Sequence, residues 1–368
     1  MKILVTGSRG FIGKNLIVRL SEHSGVEVWE IARHDSTESL AAAVLCADAV
    51  VHLAGENRPP TAEGFTAGNV ETTRRLCDAL LQAKRRIPVL YASSAQAVLQ
   101  NPYGESKRAA EEVLESFHRQ SGSPVVIYRL PGVFGKWCRP NYNSVVATFC
   151  HNVANGLPLE IFGGERILDL VYVDDVITAL IASLESPGEE YRFGDVTPRY
   201  AISVNDLATQ IRGFAEGRSS MRVDRVGVGL TRALYATFIS YLPPTAFSYP
   251  LTSHTDKRGA FVEMLKTTDS GQFSFFSAHP GVTRGGHYHH TKTEKFLVIR
   301  GSARFKFRHI ITGETHELVT HAEHPQVVDT IPGWSHDITN IGDEEMLVML
   351  WANEVFDRKL PDTVASRV

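Results

Sequence analysis

The stretch KILVTGSRGFIG, residues 2–13, decides the fold of the first part of this chain. Its apolar half predicts a short buried strand, which ends where Gly7 begins a turn. Gly7, Gly10 and Gly13 follow at GxxGxxG spacing and lead into a helix. Such a turn lets backbone N–H groups approach a pyrophosphate at the helix N-terminus. The stretch therefore predicts a dinucleotide-binding βα unit, although by itself it would also fit an ordinary tight turn.

Strand and helix patterns alternate after this unit. VEVWEIA, AVVHLAG and PVLYASS read as strands, and ETTRRLCDALLQAKRR reads as a helix between two of them. This alternation predicts an α/β domain with a doubly wound parallel sheet. Beyond a Pro-, Ser- and Tyr-rich stretch near residue 243, only short β-type runs with glycine turns follow. They predict a small all-β barrel, so we expect two domains, residues 1–243 and 244–368.

Composition narrows the class of protein. The 368 residues are 43% hydrophobic and 21% charged, with a net charge of −3, which is typical of a globular protein without the basic stripe of a nucleic-acid binder. We find no leader pattern and no apolar run long enough for a membrane span. The four cysteines stand apart, which favours a reducing, cytoplasmic location.

Two further features of the first part point to chemistry. Tyr103 and Lys107 lie four residues apart in NPYGESK and so share a helix face, where an ammonium would lower the pKa of a phenol. Ser94, at the end of the preceding strand, could form a hydrogen bond with the same substrate oxygen as Tyr103. Arg33 stands where enzymes that use NAD usually carry an acid, so with Arg9 it favours the 2′-phosphate of NADPH. Alternatively, Arg33 is a solvated surface charge.

VTGSRGFIG, VVHLAG, ASSA, YGESK, YRLPGVFG and YVDDV occur in an order that resembles the extended short-chain dehydrogenase/reductase family, over about residues 1–240. The resemblance implies a Rossmann-like fold, Ser94, Tyr103 and Lys107 as the catalytic set, and a 4-keto nucleotide sugar as substrate. The residues expected to contact NADPH are Gly7, Arg9, Gly10, Phe11, Ile12, Gly13, Arg33, Leu53, Ala54, Gly55, Tyr103 and Lys107.

The later part contains GVTRGGHYHHTKTEKFLVIRG and PGWSHDITN, which resemble the two motifs of the cupin family. The match implies a divalent metal held by His287, His289, Glu294 and His336. Three imidazoles and a carboxylate suit Zn²⁺, while Mn²⁺, Fe²⁺ and Ni²⁺ stay open. His290 could replace His289 as a ligand.

The whole chain, including the linker SYLPPTAFSYPL, resembles bacterial capsule-biosynthesis enzymes that join a reductase to a cupin. This implies a homodimer acting on UDP-2-acetamido-2,6-dideoxy-β-L-arabino-hexos-4-ulose. The cupin would epimerise C3, and the reductase would then reduce the C4 ketone with NADPH to the UDP-6-deoxy-L-talosamine derivative. Lys136, Arg139 and Asn143, in the loop after YRLPGVFG, are expected to bind the UDP-sugar, unless that loop is only packed structure.

Two other functions fit the same features. The first part could reduce a different 4-keto nucleotide sugar, with the cupin as a structural dimerisation module. The chain could also be a regulator that senses NADPH without turnover, although an intact Ser94, Tyr103 and Lys107 set argues against that interpretation.

Overall fold

The computed structural model describes residues 1–32, 35–251, 253–256, 259–262, 265–267, 271–354 and 359–368. Arg33, expected to contact the cofactor, lies outside the described residues. The helices of the described part are α1 Phe11–Ser21, α2 Thr37–Cys46, α3 Glu63–Phe65, α4 Thr72–Gln82, α5 Pro102–Ser121, α6 Val145–Ala154, α7 Val173–Glu185, α8 Val204–Ser220 and α9 Gly229–Ile239. A π-helical turn, Thr66–Glu71, joins α3 to α4, and 3₁₀ turns span Ala95–Val98 and Pro244–Ala246.

The strands of the first half are β1 Lys2–Thr6, β2 Glu27–Ile31, β3 Ala49–His52, β4 Val89–Ser94, β5 Val125–Leu130, β6 Gly132–Phe134, β7 Ile167–Tyr172, β8 Tyr191–Gly194, β9 Tyr200–Ser203 and β10 Arg222–Val223. Those of the second half are β11 Ser248–Pro250, β12 Ser253–Asp256, β13 Gly259–Val262, β14 Lys266–Thr267, β15 Gln272–Ala278, β16 Thr283–Tyr288, β17 Glu294–Arg300, β18 Ser302–His309, β19 Thr315–His321, β20 Gln326–Asp329, β21 Trp334–Asn340, β22 Met346–Ala352 and β23 Val364–Ala365.

The backbone contacts divide the chain into two compact units. The first contains residues Met1–Ser144 and Leu168–Ala201, and the second contains Val145–Ile167 and Ile202–Val368. The sequence-based division at residue 243 stays a prediction. In the part of the chain that the structure describes, no helix combines the length and the apolar character that crossing a membrane requires.

The first unit is built on a parallel sheet of six strands in the order β2-β1-β3-β4-β5-β8. Its central strands are continuous apolar runs because helices cover both faces of such a sheet. Leu4, Val50, Val89 and Ile127 are all buried in one core with the inward face of α5. The predicted doubly wound sheet is confirmed.

Helix α5 begins and ends for identifiable reasons. The Asn101 side chain accepts a hydrogen bond from the Gly104 N–H at 2.8 Å, and Pro102 occupies the first helical position. Gly122 ends the helix at φ 68°, a left-handed conformation in which glycine is favoured. The buried face of this helix contains two charged residues, Lys107 and Glu111, and brings them against β4, where they contact Ala92 and Ser93.

The second unit contains two antiparallel sheets of five strands, ordered β11-β20-β17-β22-β15 and β19-β18-β21-β16-β23. Phe296, Phe305, Phe307 and Trp351 are buried here. The predicted all-β region with glycine turns is therefore confirmed. Strands β16 and β21 pair with His287 opposite His336, and a β-bulge at Gly286 separates this pair from Gly285 opposite Asp337.

Candidate functional sites

The glycine turn after β1 is packed so tightly that side chains are excluded. Gly7 has φ 70°, and a Cβ there would lie 2.6 Å from the Ala54 backbone nitrogen. A Cβ on Gly13 would lie 2.4 Å from the Gly7 oxygen. Helix α1 then begins after Gly10 without a capping side chain or an acidic residue in its first turn. This is the arrangement that accepts a phosphate group, and Arg9 lies exposed beside it.

The three predicted catalytic residues meet at the carboxyl end of β4. Ser94 is the last residue of that strand, and its hydroxyl lies near enough to the phenol of Tyr103 on α5 to lower the pKa of that phenol. One turn further, the Lys107 ammonium donates to the Ala92 carbonyl at 2.7 Å and lies 4.3 Å from the centre of the Tyr91 ring. The structure thus brings Ser94, Tyr103 and Lys107 to one end of the sheet.

Burial sets the protonation of these groups. Burial raises the pKa of the Tyr103 phenol, and the nearby Ser94 hydroxyl opposes that rise only in part. The lowering of the Tyr103 pKa expected from a neighbouring ammonium is not found, because Lys107, whose own pKa burial lowers, makes no contribution to the shift. Burial also lowers the pKa of Lys107 to about 7, against the opposing charge of Glu111.

Glu111 is a residue of this site that the motif analysis missed. It lies one turn beyond Lys107 on the same buried face of α5. Its carboxylate accepts hydrogen bonds from Ser93 and from Arg129, whose guanidinium approaches to 2.6 Å. The i+4 spacing from Lys107 was a usable signal, because residues four apart share a helix face.

Asn69 is a second missed residue, and it lies within the π-helical turn. Its amide donates to the Glu56 carbonyl and to the Ser106 hydroxyl, both at 2.9 Å, while its oxygen accepts from the Glu56 N–H. The Ser106 hydroxyl in turn donates to the Tyr103 carbonyl at 2.7 Å. Asn69 thus ties the loop after β3 to the first turn of α5, and π-helical turns are frequent at such functional positions.

The loop predicted to bind substrate has a strained backbone. Trp137 and Asn141 adopt φ values of 67° and 53°, which are uncommon for residues other than glycine and cluster at functional sites. Lys136 is buried, and its ammonium lies 2.8 Å from Asp174 in an ion pair. Arg139 and Asn143 are exposed, and the Arg139 guanidinium stacks on Tyr142 at 4.9 Å. Arg139 and Asn143 therefore remain the accessible members of the predicted trio.

In the second unit, the four predicted metal ligands form one cluster. One ligand atom from each of His287, His289, Glu294 and His336 lies within 4.8 Å of the others. His287 and His336 are cross-strand partners of β16 and β21 in one sheet, whereas Glu294 begins β17 in the other sheet. The cluster thus contains side chains from both sheets of the second unit. His290 is not part of the cluster formed by the described residues.

The protonation of the cluster suits a cation. Burial, then the neighbouring histidines, lowers the pKa of His287 to about 4, and burial also lowers the pKa of His336. Burial opposes ionisation of Glu294, yet His289, His336 and the Lys292 ammonium at 2.7 Å keep the Glu294 pKa well below its usual value. At neutral pH the cluster therefore offers the neutral imidazoles of His287 and His336 and the Glu294 carboxylate, which are ligands for Zn²⁺ and similar ions.

His336 supplies the test of whether a metal fits. Its ring is buried, and neither ring nitrogen makes a hydrogen bond among the described residues, although Nε2 lies 3.6 Å from the Glu294 carboxylate. A buried imidazole that makes no hydrogen bond is costly, and coordination by one nitrogen would remove part of that cost. His289 differs, since its Nδ1 is bonded to the Asp362 carbonyl oxygen at 2.5 Å and its Nε2 lies 3.1 Å from Glu294. The residues present therefore fit a divalent metal.

Comparisons with known proteins place this chain in a class. The model of the NAD dependent epimerase/dehydratase family matches residues 3–195, and that of the polysaccharide biosynthesis C-terminal domain matches residues 254–364. The chain therefore belongs to the NAD dependent epimerase/dehydratase family, in a form that also carries the second domain.

More particular relatives share the whole chain. A UDP-2-acetamido-2,6-beta-L-arabino-hexul-4-ose reductase of Pseudomonas aeruginosa is 54% identical over all 368 residues and 99% of its own length. The capsular polysaccharide assembling protein CapF of Staphylococcus aureus matches over 100% of both chains, with 37% identity and a TM-score of 0.68. A structure of CapF with the inhibitor 3-isopropenyl-tropolone matches equally completely, with 34% identity and a TM-score of 0.63. The resemblance to two-part capsule-biosynthesis enzymes is thereby confirmed.

Proposed function

We propose that this chain is a bifunctional enzyme of UDP-N-acetyl-L-fucosamine biosynthesis. The second unit epimerises C3 of UDP-2-acetamido-2,6-dideoxy-β-L-arabino-hexos-4-ulose. The first unit reduces the C4 ketone of the product with NADPH, giving the UDP-6-deoxy-L-talosamine derivative. The observation that carries the proposal is the meeting of Ser94, Tyr103 and Lys107 at one strand end, in a chain that is 54% identical throughout to a reductase of this class of sugar.

The reduction requires a hydride, which NADPH supplies to C4 when bound. Tyr103, whose pKa burial raises, keeps its proton at neutral pH and gives it to the oxygen that becomes the C4 hydroxyl. Ser94, near the Tyr103 phenol, orients the same oxygen. Lys107, when protonated, places a positive charge beside Tyr103 and favours the phenolate that remains after proton transfer. Arg9 and Arg33 support NADPH over NADH as the cofactor.

The epimerisation needs only a proton removed from one face of C3 and returned to the other, because the neighbouring C4 ketone acidifies that position. A Zn²⁺ held by His287, His289, Glu294 and His336 would polarise the ketone, or else tie the strands together. Inhibition of the related CapF by a tropolone agrees with a metal, since a tropolone carries adjacent carbonyl and hydroxyl oxygens that chelate such ions. His290 and Lys292 adjoin the cluster and are candidates for the base.

The setting of the enzyme is part of the proposal. The free thiols of Cys46, Cys77, Cys138 and Cys150 are consistent with a reducing cytoplasm. A homodimer is proposed from the resemblance to the capsule enzymes. The UDP-sugar is the expected partner, with neither nucleic acid nor membrane involved.

The test uses Tyr103→Phe in deuterated buffer with the UDP-4-keto sugar, following C3 by NMR and NADPH by absorbance. Deuterium should enter C3 while NADPH oxidation falls by about 10³-fold, the contribution of a lost general acid. Tyr191→Phe, which removes a phenol from β8, serves as the control and should keep both activities.

Two outcomes would replace the proposal. Wild-type enzyme that oxidises NADPH without any exchange at C3 would be a reductase with the second unit as a structural module. Wild-type enzyme that turns over no 4-keto nucleotide sugar would instead be a regulator that binds NADPH.

A further inference from the structure

The segment of residues 359–368 lies on the edge of the sheet that carries two of the clustered histidines. Its strand β23 pairs with β16, so that Ala365 lies opposite His287 and Val364 opposite Tyr288. The Ser366 N–H donates to the Gly286 carbonyl at 2.8 Å. The neighbouring strands hold the segment as well, since the Ser335 hydroxyl and the Arg308 guanidinium donate to Ser366.

Within this segment, Asp362 holds the loop that separates His289 from Glu294. Its carboxylate accepts the backbone N–H groups of three consecutive residues, those of His290 at 2.8 Å, Thr291 at 2.6 Å and Lys292 at 2.7 Å. The Thr291 hydroxyl adds a fourth hydrogen bond at 3.0 Å. Consecutive N–H groups that converge in this way form an anion-binding concavity, and here the anion belongs to the chain itself.

The same residue fixes the tautomer of His289. The Asp362 carbonyl oxygen lies 2.5 Å from Nδ1 of His289, and a carbonyl can only accept a hydrogen bond. Nδ1 therefore carries a proton, which leaves Nε2, 3.1 Å from a Glu294 carboxylate oxygen, as the nitrogen that would bind an ion. Partners of this kind orient histidine ligands and raise their basicity.

Asp362 thus acts on both ends of one short loop. Its carboxylate sets the path of residues 290–292, which determines how far apart His289 and Glu294 are held. Its carbonyl aims the His289 ring. Neither group belongs to the cluster of candidate ligands, so any effect on a metal would be exerted through His289 and Glu294.

We propose that Asp362 is a positioning residue for the metal centre, and that metal affinity depends on the clamp that residues 359–368 form over β16 and the His290–Lys292 loop. This inference rests on the metal site of the proposed function. It assigns the metal centre a fifth required residue, which does not itself bind the ion.

The experiment measures the affinity of the full chain for Zn²⁺ by competition with a chromophoric chelator, and records the absorption spectrum of the Co²⁺ form. Asp362→Ala removes all four carboxylate hydrogen bonds and should weaken Zn²⁺ binding about 10–100-fold, the usual effect of losing such a partner. Asp362→Asn keeps one acceptor oxygen and should lose less. Both variants should change the Co²⁺ spectrum, because the loop between His289 and Glu294 is no longer held on its path by the carboxylate.

Asp343→Asn is the matched control, since it removes an exposed carboxylate between β21 and β22. It should leave the Zn²⁺ affinity and the Co²⁺ spectrum unchanged. Wild-type affinity and spectrum in Asp362→Ala would overturn the inference. If Asp362→Ala does not fold, wild-type affinity and spectrum in Asp362→Asn would overturn the inference.

Failure of the metal site itself gives a different result. In that case wild-type protein would bind neither Zn²⁺ nor Co²⁺, and the inference would fall together with the metal site. NADPH oxidation by the same sample then shows whether the proposed reductase activity exists without a metal site.

Discussion

The two candidate sites differ in how their polar groups are satisfied. In the first unit, the Lys107 ammonium donates to the Ala92 carbonyl, and the Glu111 carboxylate accepts from Ser93 and Arg129. In the second unit, the His336 ring is buried, its nitrogens make no hydrogen bond among the described residues, and Nε2 lies 3.6 Å from the Glu294 carboxylate. The difference teaches that the first site is preorganised by the chain's own hydrogen bonds, whereas the second is arranged for a ligand that the chain does not supply.

The sharpest way to break this comparison is Glu294→Gln, which we expect to have the largest effect. It removes the only carboxylate of the cluster, so Zn²⁺ affinity should fall by more than about 100-fold and C3 exchange should cease. NADPH-dependent reduction in the first unit should persist. Chelator competition and NMR of C3 measure the two effects, and Glu317→Gln, an exposed carboxylate on β19, is the control. Unchanged C3 exchange in Glu294→Gln would show that the epimerisation does not depend on the cluster.

The pH profile of the reduction tests the preorganised site. Lys107 has a pKa of about 7 and is charged only below it. Because a charged Lys107 favours loss of the Tyr103 proton to substrate, kcat/KM should fall as the pH rises through about 7, roughly tenfold per pH unit. Lys107→Met should react slowly and lack this limb. A wild-type profile that stays flat well above neutrality would contradict this role of Lys107.

Gly7 in the glycine turn can be compared with Gly25, which lies after α1, because both have a left-handed backbone conformation. Gly25→Ala, at φ 82° with no atom within 4 Å, should cost about 1–2 kcal/mol of unfolding free energy from backbone strain. Gly7→Ala adds a contact at 2.6 Å to backbone and should cost about 1–3 kcal/mol more, with a raised KM for NADPH. Denaturant unfolding and steady-state kinetics measure both. Equal losses in the two variants would show that the turn tolerates a side chain.

Glu111→Gln should have the smallest effect, which is a shift of the pH profile in one direction. The Glu111 charge raises the pKa of Lys107 against burial, so its removal should move the falling limb of the pH profile to lower pH. Glu112→Gln, exposed and adjacent on α5, should leave the limb in place. A limb that moves to higher pH, or does not move, would refute the link between Glu111 and Lys107.

The sequence predicted those parts of the molecule that depend on short spacings. The strand–glycine–helix unit and the pair of Tyr103 and Lys107 were readable because each lies within one or two turns of chain. The four clustered residues were found through their resemblance to a family motif. The parallel sheet followed from alternating strands and helices.

Long-range partners were not predictable from spacing. The ion pair of Lys136 with Asp174 joins residues 38 positions apart, and Asp362 contacts a loop about 70 positions earlier. Only strand pairing and loop packing create these contacts, and nothing in the local pattern marks an aspartate as their partner. The substrate loop shows the same limit, because the ion pair that buries Lys136, unlike the exposed Arg139, could not be seen from the local pattern; its role in binding the UDP-sugar stays a prediction.

The bulge at Gly286 decides on which face of the sheet His287 lies. In the bulged pairing, His287 lies opposite His336 and the two rings meet, with their centres 4.8 Å apart. A regular ladder continued from Gly285 would put Gly286 opposite His336 and turn His287 to the other face of the sheet. An ion that requires both imidazoles would bind only the bulged pairing. It would therefore stabilise the sheet with this strand register relative to the regular one.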